Sequence, residues 1–88
     1  MHIKLYQRNY RDDLKQAIQQ EYAGNHQDAA LSYKKAQHHA TSANSANMLE
    51  KAKFAMARRI HCLKQAKDPE WKQVNAKFQQ LHQALEHR

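Results

Sequence analysis

The sequence predicts an all-α protein, an antiparallel four-helix bundle built of two helical hairpins. Three observations carry that expectation. The 88 residues contain one Gly and one Pro, too few for a turn-rich β architecture or a collagen-like chain. Apolar residues recur at spacings of three and four in four separate segments. Short connections between those segments force neighbouring helices to run antiparallel. A chain of this size hides roughly two-thirds of its unfolded surface, enough for one domain over residues 1–88 with a modest core. Hydrophobic content of 41% supports such a core, and a mean hydropathy of -1.09 describes a very polar surface.

The first helix is expected from about Ile3 to Tyr22, where Ile3, Tyr6, Tyr10, Leu14, Ala17 and Ile18 form one stripe. Gly24-Asn25 ends it, because glycine tolerates the left-handed conformation that closes many helices. The second helix is expected from about His26 to Ala40, with an alanine-rich face of Ala29, Ala30, Tyr33, Ala36 and Ala40 that lets a neighbour approach closely. Thr41 to Ala46 reads as a loop of small polar residues. Asn47 is expected to cap the third helix, with Glu50 reaching back to the cap. That helix runs from about Met48 to Ala66 on a stripe of Leu49, Ala52, Met56, Ile60 and Leu63. Asp68-Pro69-Glu70 is a helix start: a cap, a proline in the first turn and an acid at the positive end of the dipole. The fourth helix runs to about His87, and Trp71, Val74, Phe78, Leu81 and Leu85 give it a heptad seam.

Around the first turn stand Ala17, Gly24, Ala29, Tyr33 and Ala36. This spacing resembles the helix-turn-helix unit of tetratricopeptide repeats, where small residues let two helices touch and an aromatic fills the groove between them. Asp13, Gln16 and Gln20 depart from that family's bulkier first-helix positions, and His26 replaces an aromatic. Val74, Phe78 and Leu81 echo Ala29, Tyr33 and Ala36 in the second hairpin. Ala23-Gly24-Asn25 followed by Ala30-Leu31-Ser32-Tyr33 also resembles microtubule-interacting-and-transport domains. Both likenesses imply a helical hairpin that binds proteins or peptides.

The net charge is +7, and residues 45–67 alone carry +5 of it. A basic segment favours polyanions, acidic proteins or anionic surfaces, and such binding weakens with salt. Lys51, Phe54, Arg58 and His61 fall on the side of the third helix opposite its apolar stripe. An outward phenylalanine among cations suits anchoring a partner or stacking on a base. Phe54 is therefore the expected anchor, with Lys51, Arg58 and Lys64 steering an acidic partner. Arg58-Arg59 could clamp phosphates or carboxylates through their planar forks, although adjacent helical residues point about 100° apart. Arg59 equally suits reaching over the edge of the core.

Cys62, the one cysteine, permits no internal disulfide and suits a reducing compartment. No apolar run is long enough for a signal peptide or a membrane span. The seven histidines show no chelating spacing, so no metal or other cofactor is expected. No nucleophile, paired acid and base, or phosphate loop points to an enzyme. The reading that follows is a small, basic, cytoplasmic adaptor or regulatory module that binds a protein or peptide. The alternative is a nucleic-acid-binding accessory protein that uses the basic third helix, and heptad seams beside alanine-rich faces also allow a homodimer.

Overall fold

The computed structural model describes residues 2–43 and 45–87. Asn44 and the side chain of Ile3, both part of the expectations above, lie outside the described set. Four helices follow in order: α1 (His2–Tyr22), α2 (His26–Ala43), α3 (Ala46–Gln65) and α4 (Trp71–Glu86). The all-α, four-helix bundle is the architecture expected from the periodicity. Each helix packs on its chain neighbours, and α1 also touches α3. Because α1 and α3 both run antiparallel to α2, they are parallel to one another. The molecule measures 34 × 26 × 14 Å, its long axis about the length of one twenty-residue helix.

Three boundaries differ from expectation, each for a local reason. Helix α2 continues through Thr41, Ser42 and Ala43 instead of stopping at Ala40. The Thr41 hydroxyl donates to the Gln37 carbonyl one turn back, so its polar group is satisfied inside the helix. Helix α3 is capped by Ser45, whose Oγ accepts the Met48 N–H at 3.2 Å, and not by Asn47. Ser is as good a cap as Asn, and helix-forming Ala46 lets the earlier residue take the role. Helix α4 begins at Trp71, two residues after Pro69. Asp68 still accepts the Glu70 N–H at 2.9 Å, but the Trp71 and Lys72 amides bond three residues back, a tighter turn leading into the helix.

The core joins all four helices. Ala17, Ala29, Ala36, Ala40, Ala52 and Ala55 are fully buried, which permits close contact among α1, α2 and α3. Tyr33 fills the space they leave. Val74 and Leu85 of α4 are buried, whereas Trp71, Phe78 and Leu81 are half-buried against the same core. The seam of α4 is partly open because, among the described residues, its backbone comes close to that of α3 alone.

Candidate partner-binding site

Ile18, Glu21 and Tyr22 of α1 stand across from Phe54 and Arg58 of α3, and His26 and Tyr33 of α2 close the space between them. The result is a cleft of ≈ 470 Å³. Its walls are apolar and open to water: Ile18 is 38%, Tyr22 90% and Phe54 51% exposed. Its floor is polar and held in place. The Glu21 side chain, 17% exposed, is ion-paired with Arg58 and accepts the Tyr33 hydroxyl at 2.8 Å. Burial alone would raise the Glu21 pKa, but the Tyr33 and Arg58 donors outweigh it and hold the carboxyl below its usual range. Tyr33 responds in the opposite sense: burial and the Glu21 acceptor push its pKa to about 12. His26 Nδ1 is buried without a hydrogen-bond partner among the described residues.

Toward the other end of the same two helices, Gln7, Tyr10 and Arg11 of α1 meet Asn47 and Lys51 of α3 around a depression of ≈ 270 Å³. The buried Tyr10 hydroxyl donates to the Lys51 carbonyl at 3.1 Å. The Lys51 ammonium lies 5.7 Å from the centre of the Tyr10 ring. The α1/α3 groove is thus cationic at one end and apolar at the other.

The structure brings together some of the residues the sequence singled out and separates others. Phe54 and Arg58 share the cleft, and His61 sits at its edge, 3.9 Å from the Glu21 carboxylate. Lys51 belongs to the cationic end. Lys64 lies elsewhere, with its ammonium 4.4 Å over the Trp71 ring at the start of α4. Arg58 is not a freely solvated cation, because Glu21 holds it. Arg59 is nearly buried (7% exposed) and bonds Gln37 at 3.2 Å and Glu70 at 3.6 Å. Lys53 lies between Glu50 at 3.8 Å and His82 Nδ1 at 3.0 Å. Most cations of α3 are therefore engaged within the fold.

On α1 the reverse holds. Lys4, Arg8, Arg11 and Lys15 are all exposed, and none forms an ion pair among the described residues. The low net charge of residues 1–23 hides them, although their spacing of four, three and four marks one helical stripe. Ile18 and Glu21 were also missed as walls of a site, since nothing local shows that α1 and α3 lie side by side.

Cys62 is fully buried. Burial, with a smaller contribution from Glu21, pushes its pKa to about 11, so the thiol stays protonated and unreactive. Among the described residues no group of three or more His, Cys, Asp or Glu is placed to hold a metal ion, and no helix is long and apolar enough to cross a membrane. Comparison with protein-family models, curated proteins and solved structures finds no match to the chain.

Proposed function

We propose that the chain is a non-enzymatic adaptor or regulatory module that binds a protein or peptide in the cleft between α1 and α3. One observation carries this reading: Ile18, Tyr22 and Phe54 are exposed around a single recess whose floor is a formed ion pair. Covering such side chains is favourable by roughly 25 cal/mol per Å² of apolar surface. Anchor residues of interfaces are typically aromatic and sit in such pockets. The partner is acidic beside a bulky apolar residue. Arg58 keeps N–H donors beyond those facing Glu21, and Lys51 and Arg11 supply charge at the far end. The tetratricopeptide-like spacing of Ala17, Gly24, Ala29, Tyr33 and Ala36 supports the same reading. A single buried thiol suits the cytoplasm as the compartment.

Selection from a displayed library of random peptides on the immobilised protein tests the reading. The expected result is enrichment of sequences that pair an aromatic or leucine with Asp or Glu. Their affinity should fall at least about tenfold on Phe54→Ala. Failure to enrich any sequence, or enriched peptides indifferent to Phe54→Ala, refutes the reading.

A further inference from the structure

We propose that the exposed face of α1 is a second binding surface and that it takes a single-stranded nucleic acid. Lys4, Arg8, Arg11, Lys15, Ile18 and Tyr22 follow one another at spacings of four, three, four, three and four, which places them on a single stripe. The four cations extend over about 16 Å of helix. Each is exposed and free of ion pairs among the described residues. Asp12 borders the stripe one turn from Arg8 and pairs with none of the four. A continuous row of unneutralised cations is the electrostatic counterpart of a phosphate chain.

The stripe ends in Tyr22, the most exposed large apolar side chain among the described residues at 90%. An outward ring at the end of a cationic track is the arrangement on which an unpaired base stacks. A single strand fits better than a duplex, whose bases are already stacked on one another. It also fits better than an acidic protein, which needs apolar area between the charges. Between Lys4 and Lys15 the stripe offers none, and half-exposed Leu5 lies to one side. This surface is separate from the α3 face on which the sequence placed nucleic-acid contacts; it shares Ile18 and Tyr22 with the cleft and Arg11 with the depression at the far end of the α1/α3 groove.

Fluorescence anisotropy tests the proposal, with labelled RNA and DNA strands of about 15 nucleotides titrated between roughly 20 and 200 mM salt. Four phosphate contacts predict a slope of log K against log salt of about -3 for a single strand, falling by about 0.7 with each cation replaced by alanine. The combined Lys4→Ala, Arg8→Ala, Arg11→Ala and Lys15→Ala variant should lose binding while keeping the parent helical circular dichroism. Tyr22→Ala should weaken binding at least about fivefold and leave the salt slope unchanged. Lys64→Ala should bind as the parent does. A slope shallower than about -1 overturns the proposal, as does a fourfold variant that binds like the parent. A duplex or a poly-glutamate peptide of equal charge that binds more tightly than both strands also overturns it, in favour of that class of partner.

Discussion

Helices α1 and α3 lie side by side and parallel, and they use their cations in opposite ways. Residues 45–67, which include α3, carry a net +5, and residues 1–23, which include α1, carry +1. Yet α3 directs Arg58 to Glu21, Arg59 to Gln37 and Glu70, Lys53 to Glu50 and His82, and Lys64 onto Trp71. The cations of α1 are exposed and form no ion pair among the described residues. The difference teaches that a segment's net charge does not measure its available charge. Available charge is what remains after neighbouring helices supply carboxylates and rings. A central helix meets such groups on two sides, and an outer helix turns one face away from all of them.

The strongest way to break this contrast is to remove one cation from each helix. Arg59→Ala should destabilise the fold by about 2 kcal/mol in urea denaturation, because it removes a nearly buried side chain and leaves Gln37 without its partner. Arg8→Ala should stay within about 0.5 kcal/mol of the parent, as exposed substitutions do. Equal losses for the two variants would show that α3 cations are no more structural than those of α1.

Glu21 comes next, since it is the α1 residue that engages an α3 cation. Glu21→Gln should cost roughly 1–2 kcal/mol: the neutral amide offers one acceptor oxygen where Tyr33 and Arg58 now share a carboxylate. The pH dependence has a definite sign. The folded-state pKa lies below its usual value of 4.5, so this contribution is present above that value. It is lost as pH falls through the lower folded-state value. Acid titration of stability should therefore show a flatter limb below about pH 4.5 in Glu21→Gln than in the parent. Parallel acid limbs would mean that the carboxylate gains nothing from its partners.

The two helices also end alike, with different residues. At the end of α1 the Asn25 amide bonds the Gln20 carbonyl and the Gly24 amide bonds that of Glu21; at the end of α3, Asp68 bonds Leu63 and Lys67 bonds Lys64. Both closures need one left-handed residue, supplied by Gly24 at φ 83° and Lys67 at φ 58°. A Cβ on Gly24 would meet nothing within 4 Å, so its conformation alone sets the cost of replacement. Gly24→Ala should destabilise, and Lys67→Gly should stabilise, each by about 1 kcal/mol. Thermal melts of the two variants should move in opposite directions.

These pairs also show what could be read from the chain. The apolar stripes were legible because periodicity is local. The outward position of Phe54 followed from its angle on the helix alone. The Asp68-Pro69 start was legible to within two residues, and the cap of α3 was displaced from Asn47 to Ser45 because two good caps stand in one short stretch. The cleft was legible on its α3 side only. Its floor depends on Glu21 meeting Arg58, 37 residues along the chain, and no spacing rule reaches across that separation. The free cations of α1 were visible as a pattern, but that they are free depends on which carboxylates fold toward them.

The smallest expected effect concerns a histidine of α2 that feels its own burial and the cations of three helices, Arg59 of α3 among them. Desolvation lowers the pKa of His38 on α2, and Lys34, Arg59, Lys77 and His39 lower it further. A histidine with a depressed folded-state pKa takes up its proton first in the unfolded chain. Its penalty is thus absent above the ordinary value of 6.5 and grows as pH falls through the folded-state value. His38→Gln should reduce the loss of melting temperature between about pH 7 and pH 5.5 by a small amount, well under 0.5 kcal/mol in free energy, because the ring is exposed and water screens its neighbours. Added salt should shrink the difference further by screening the surrounding cations. If the variant and the parent show the same pH dependence at low salt, then the charge of α3 stops at its direct partners. The contrast with α1 would then rest on contacts alone and not on the field that α3 projects into the bundle.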